Sequence, residues 1–98
     1  MEDGTYDRER QPITYSHGYQ VGLWTKTTDA ENIESVIDEI QQWEDVRESG
    51  VWTDPSTGEI FVEPCVWCPL KVTALEFARA YHQRAIWSWA DMVEIEVR

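Results

Sequence analysis

Between Thr28 and Glu44 apolar side chains recur at the helical period, with Ile33, Val36, Ile37, Ile40 and Trp43 at i, i+3, i+4, i+7 and i+10. The stripe predicts an amphipathic helix lying on an apolar layer. Thr28-Asp29-Ala30-Glu31 fits a capping box at its start, Thr28 as N-cap and Glu31 at the third helical position. Glu44 and Arg47 would fall on the stripe if the helix continued, so it is expected to end near Trp43–Asp45, with Ser49-Gly50 closing the turn. A second stripe of Ala74, Phe77, Ala78 and Tyr81 follows a second capping box, Thr73 to Glu76. It predicts a shorter helix that ends at His82-Gln83-Arg84, where cations suit the helix dipole.

Elsewhere the period is two. Tyr19, Val21 and Leu23 alternate with Gln20, Gly22, Trp24 and Lys26, the pattern of a half-buried strand. Val51-Trp52-Thr53 and Glu59–Glu63 flank Asp54-Pro55-Ser56-Thr57-Gly58, in which proline presets a turn, aspartate bonds back to the backbone and glycine supplies positive φ: a hairpin. Cys65–Cys68 lies between Pro64 and Pro69 and is expected to be extended and to pair only at a sheet edge. Ala85–Trp89 and Met92–Val97 read as a closing hairpin turned at Ala90-Asp91. Residues 1–16, poor in apolar side chains, are expected to form a flexible arm before a single domain at 17–98.

The order β-α-ββ-α-ββ implies an α+β fold, a two-layer sandwich with two helices on one face of a mainly antiparallel sheet of about five strands. The other sheet face has no third layer. Alternation puts Phe61, flanked by Glu59 and Glu63, on it, together with Trp24, Met92, Glu94 and Glu96, mixing aromatics with carboxylates.

Charge changes this picture. The 98 residues carry 19 acids against 8 Lys and Arg, a net charge of −11. Twelve of the acids, against four bases, lie in residues 1–50. No Lys or Arg occurs between Lys26 and Arg47, so Glu31, Glu34, Asp38, Glu39 and Asp45 line the polar side of the first helix without a partner on it. Direct nucleic-acid binding is disfavoured, as is an anionic membrane. No apolar run approaches the roughly 18 residues of a membrane span. The polar, acidic start MEDGTYDRER is unlike a secretory signal, and the expected location is cytoplasmic.

Candidate chemistry is thin. Cys65-x-x-Cys68 is the only motif with recognised chemistry. A redox pair needs a helix N-terminus close by, and zinc needs further ligands that His17 and His82 do not offer at ligand spacing. Residues three apart in a strand also point to opposite faces, so two separate side chains are the favoured reading and Cys65 and Cys68 are weak metal or thiol candidates. No glycine-rich phosphate loop or local Ser/His/Asp set occurs, and neither an enzyme nor a cofactor is expected.

Gly50-Val51-Trp52-Thr53-Asp54-Pro55 with Thr57-Gly58-Glu59, then Ala74-Leu75-Glu76-Phe77-Ala78-Arg79, Gln83 and Ala85-Ile86-Trp87, resembles small proteins common in actinobacterial phages and prophages. There a W-x-D-x-x-T-G hairpin precedes a short helix and a Q-x-A-I-W/Y-D strand. The likeness spans roughly residues 19–97 and departs at Ser88, where an acid is expected, and at Cys65 and Cys68. It implies a phage setting and a fold, and assigns no activity. Two readings of function follow. One is a binding protein that engages a basic surface of a host protein, blocking a nucleic-acid groove by mimicry, through Glu31, Glu34, Asp38, Glu39 and Asp45 with Trp24 or Phe61 as anchors. The other is a structural homodimer that buries the aromatic sheet face, its acidity serving solubility.

Overall fold

A computed structural model describes residues 1–42 and 48–97 of the chain. The elements are β1 (Gly4–Tyr6), β2 (Pro12–Ile13), β3 (Tyr19–Gly22), β4 (Lys26–Thr28), α1 (Ile33–Gln41), β5 (Glu48–Thr53), β6 (Ile60–Cys68), α2 (Lys71–Ala80), β7 (Ala85–Ser88) and β8 (Val93–Glu96). All strands pair antiparallel in one sheet of order β2-β1-β5-β6-β3-β7-β8, with β4 paired to β6 beyond the end of β3. Among the described residues the fold is α+β with two helices, as expected, but the sheet has eight strands rather than about five. Two of the extra strands come from the stretch expected to be an arm. β1 pairs with β5, and Tyr6 enters the core.

From β3–β4 to β7 the path is β-α-β-β-α-β. α1 connects β4 to β5 across β6, and α2 connects β6 to β7 across β3, the doubled split β-α-β arrangement of ferredoxin-like folds. Ile60, Val62, Val66 and Cys68 of β6 share one face, and both helices pack there. Ile33, Ile37 and Ile40 of α1 meet Tyr6, Val51 and Val62 in one cluster. Ala74 and Ala78 of α2 meet Val21, Leu23, Cys68 and Ile86 in another.

Pro64 is not at an edge. It sits within β6, the longest strand, opposite Ser49 on β5. Leu23 N–H donates to the Pro64 carbonyl at 2.9 Å. An antiparallel partner would return an N–H to the Leu23 carbonyl, but proline has none. That carbonyl instead accepts from the Gln83 side-chain amide at 2.8 Å. Around this gap the strand bulges. Leu23, Trp24 and Thr25 separate Gly22 from Lys26, whereas only Glu63 and Pro64 separate their partners Cys65 and Val62. The extra residue resets the alternation. Trp24 therefore does not join the open face; it packs against both core clusters on the helix side.

Both helices start away from their predicted boxes. Thr28 is taken up by β4, and the Asp29 carboxylate accepts the backbone N–H groups of Glu31 and Asn32 at 3.1 and 3.0 Å, so α1 begins at Ile33 after an Asx turn. α2 starts at Lys71, two residues before Thr73, after the extended Leu70. Its inner face is Ala74 and Ala78, small enough to bring the helix down on the sheet, which leaves Phe77 and Tyr81 39% and 43% exposed rather than in the core. It ends in a Schellman motif: His82 N–H reaches the Arg79 carbonyl, Gln83 N–H reaches the Ala78 carbonyl, and His82 takes the left-handed position at φ 57°. The Asp54–Gly58 turn forms as its chemistry predicts, with Asp54 accepting Ser56 N–H at 2.8 Å and Gly58 at φ 75°. Ser88, where the resemblance expects an acid, is buried and donates to Asp91 in the closing hairpin. Trp43 and Asp45 lie outside the described residues.

Candidate functional site

Glu31, in the turn that precedes the first helix, and Glu34, Asp38 and Glu39 on it are all exposed. Cations from other segments reach three of them. Arg10, from the β1–β2 connection, pairs with Asp38 and lies 4.0 Å from Glu34, and Lys26 pairs with Glu39. Such exposed pairs contribute about 0–1 kcal/mol each, so their meaning here is local neutralisation more than stability. The row of carboxylates is therefore partly answered by the chain itself.

The face of the sheet away from the helices is built differently. Glu48, Gly50 and Trp52 of β5, Phe61, Glu63, Cys65 and Trp67 of β6, and Gln20 and Gly22 of β3 point to it by alternation. Trp52 and Phe61, cross-strand partners, stack at 4.2 Å and 14°. Phe61 thus stands on the open face as predicted. Tyr15 lies on Trp67 at 4.9 Å, meets Trp89 edge-on, and donates to Glu48 at 2.5 Å, so the chain after β2 covers part of this face. Burial and that bond push the Tyr15 hydroxyl well above the ordinary tyrosine range.

What remains open is a cleft of about 1030 Å³ between the N-terminal strands, the sheet and the β7–β8 hairpin. Its floor is glycine. A Cβ on Gly22 would lie 1.6 Å from Glu63 Oε2, so the bare backbone is what admits that carboxylate. Glu63 Oε1 accepts the Trp52 indole N–H at 3.1 Å. Burial raises the Glu63 carboxyl above its ordinary value, the Trp52 bond opposes this, and the charge of Glu94 adds to it. Beside it the Gln20 amide bridges Thr5 (3.1 Å) and Cys65 Sγ (3.3 Å). Burial drives the Cys65 thiol far above the usual cysteine range, and the Glu63 charge reinforces this.

Cys65 and Cys68 are both free and lie on opposite faces of β6, Cys65 in this polar floor and Cys68 in the core under α2. Burial raises the Cys68 thiol too. Neither thiol is disposed to act as a thiolate nucleophile. Among the described residues no group of three His, Cys, Asp or Glu side chains converges as metal ligands, and no helix is long and apolar enough to cross a membrane. Alternation puts Glu63 and Glu94 on this face without choosing them as contact residues, and leaves Trp52 and Trp89 unassigned to a face. The available signal was Gly22 inside a strand pattern, which marks close approach of another group to the backbone, whereas Ser49-Gly50, expected to close a turn, lies within β5. No protein-family model, curated protein or solved structure matches this chain.

Proposed function

We propose that this chain is a small, acidic, non-catalytic binding protein that engages a basic surface of another protein through the open face of its sheet. In the phage setting that the sequence resembles, the partner is a host DNA-handling or defence factor, and the carboxylates stand in for phosphates. The observation that carries this reading is the contrast between the two acidic regions. Arg10 and Lys26 answer Glu34, Asp38 and Glu39 on α1, whereas Glu63 and Glu94 have no ion pair among the described residues and share their cleft with tryptophans. Aromatic anchors ringed by charge are what protein interfaces use, and a field of this sign steers a basic partner.

The exposed Trp52 (44%) and Met92 (59%) on this face also favour a second reading, a homodimer that buries it. Pairing this face with its own copy would set carboxylate against carboxylate, which opposes that arrangement. Two measurements decide. Sedimentation equilibrium at high protein concentration is expected to give a monomer, and a dimer would favour the second reading. A tagged chain retaining a basic host protein, eluted by a salt gradient, is expected to lose it when Glu63 and Glu94 are both changed to Gln. Retention by that variant, with loss on neutralising Glu34, Asp38 and Glu39, would move the contact to α1.

A further inference from the structure

The sheet ends at β2 on one side and at β8 on the other, and the two edges are finished differently. β2 is two residues long and begins with Pro12, which has no N–H to offer a further strand. β8 carries no proline and pairs with β7 without a bulge, from Val93 opposite Ser88 to Glu96 opposite Ala85. Among the described residues no strand lies on its other side. The direction of its backbone groups follows from one bond. Val97 N–H donates to the Arg84 carbonyl at 2.8 Å, and in an antiparallel ladder bonded pairs recur at every second residue. Ile95 and Val93 therefore turn their N–H and C=O groups toward β7, whereas Glu94 and Glu96 turn theirs toward the free edge. Such a row of outward groups is a template for a further strand.

The side chains of β8 decide which strand fits. Glu94 and Glu96 are exposed on the open face of the sheet. Val93 and Ile95 lie on the helix side, where Ile95 packs against the core under α2 and Val93 is left 48% exposed. Charges on an edge strand keep other strands away, and their sign sets which ones. A second copy of β8 does not suit. In any antiparallel register that pairs both carboxylates, Glu94 and Glu96 meet the same two carboxylates, and like charges directly opposite are destabilising. A strand with cations at two alternate positions reverses the sign of both contacts, and the net charge of −11 draws it in. We propose that β8 receives an extended segment of a partner protein as the next antiparallel strand of the sheet. Lys or Arg of that segment stands opposite Glu94 and Glu96, and the aliphatic residue between them continues the layer of Val93 and Ile95. In strand addition of this kind the main chain supplies affinity and the alternating side chains supply specificity. Opposed side chains lie about 5 Å apart at Cβ, within ion-pair reach of a long cationic side chain. The proposal rests on the reading of a basic partner and names where its segment enters.

The test titrates N-acetyl-Val-Lys-Val-Lys-Val-amide into the full 15N-labelled chain and follows amide hydrogen exchange. The Glu94 and Glu96 amides are expected to exchange freely in the chain alone and to slow in the complex, while the Ile95 amide, which faces β7, stays unchanged. In the proposed pairing the lysine backbone nitrogens face β8 and the valine nitrogens face away. Methylating both lysine backbone nitrogens should therefore abolish binding, and methylating that of the central valine should not. Glu94→Gln with Glu96→Gln, both at exposed positions, should weaken binding about two- to thirtyfold, as loss of two cross-strand charge pairs does. Unprotected Glu94 and Glu96 amides at saturating peptide, equal binding of the two methylated peptides, or equal binding of the Val-Glu-Val-Glu-Val peptide would overturn the strand addition. Octa-arginine at low salt separates the two levels. If it binds and leaves the Glu94 and Glu96 amides unprotected, the basic-partner reading stands on another surface and the edge falls; if it does not bind, both fall.

Discussion

Gly18 carries two independent constraints, and replacing it with alanine should show both. Its φ is +86°, a conformation in which an L side chain costs about 1–2 kcal/mol. A Cβ there would also stand 2.4 Å from Trp67 Nε1 and 2.5 Å from Cε2. The indole has little freedom to retreat, because its N–H donates to the His17 carbonyl at 3.0 Å and its face is stacked on Tyr15. Forcing bulk into such a contact adds about 1–3 kcal/mol. Gly58 supplies the control, since it has φ +75° but nothing within 4 Å of a Cβ, so Gly58→Ala meets only the backbone term. In thermal unfolding followed by circular dichroism, Gly58→Ala should lower Tm by about 5–15 °C, and Gly18→Ala by a further 5–20 °C, at roughly 4–8 °C per kcal/mol for a domain of this size. Equal losses at the two sites would refute the seating of Trp67 on Gly18. Because the Gly18 carbonyl accepts the Trp89 backbone N–H at 3.0 Å, the same variant should also disturb the cleft wall.

Ile37→Ala, at a fully buried α1 position, should lose about 2–5 kcal/mol in urea unfolding, whereas Phe77→Ala on the outer side of α2 should lose under about 1 kcal/mol; the reverse order would invert the helix faces. The Glu63 carboxyl is raised above its ordinary value of 4.5, so its contribution to stability is fully present below that value and is lost as pH rises through the folded-state value. Glu63→Gln, which keeps an acceptor for Trp52, should therefore melt higher than the parent at neutral pH and converge with it as the acid protonates; a constant offset across pH would sink this. Cys65 and Cys68 should react slowly with a thiol reagent in the folded chain and both react in guanidine, and fast native labelling of either would contradict their burial.

How legible each part was depends on how far its cause lies along the chain. The Asp54–Gly58 hairpin and the Ile33–Ile37–Ile40 stripe were readable because their determinants sit within a few residues of one another. The bulge at Trp24–Thr25 was not, because it depends on Pro64 about forty residues away and on a donor from Gln83. An alternation counted straight through the bulge therefore put Trp24 and Lys26 on the wrong face, and with Lys26 hidden there its pairing with Glu39 could not be foreseen. Arg10 was missed for a related reason: the segment carrying it looks like an arm until β1 finds its place beside β5. Alternation did place Phe61, Glu63, Met92 and Glu94 toward the open face, yet that they line one cleft with Trp89 emerged only once β3, β5, β6 and β7 were side by side.

The irregularity that hid the site also helps to build it. Pro64 leaves the Leu23 carbonyl without a strand partner, and the Gln83 amide fills the vacancy; that bond fixes the turn after α2, in which His82 is held at positive φ. His82, Gln83 and Arg84 all line the cleft, as does Met92, another non-glycine residue at positive φ. Both left-handed residues belong to chain reversals, the end of α2 and the β7–β8 turn, and the cleft lies between them. The coupling can be measured. Gln83→Ala should leave the buried Leu23 carbonyl unpaired and cost about 1–3 kcal/mol. Pro64→Ala restores an N–H facing that carbonyl, so in the Gln83→Ala background it should recover part of the loss, while in the parent it removes only proline's restriction of the unfolded chain, about 0.4–1 kcal/mol. A double-mutant cycle should then return a coupling of about 0.5–3 kcal/mol between residues 64 and 83, which sit on different elements and are joined through a third. Additive losses would mean that the Leu23 carbonyl is satisfied some other way, and that the placement of residues 82–84 at the cleft has a different cause.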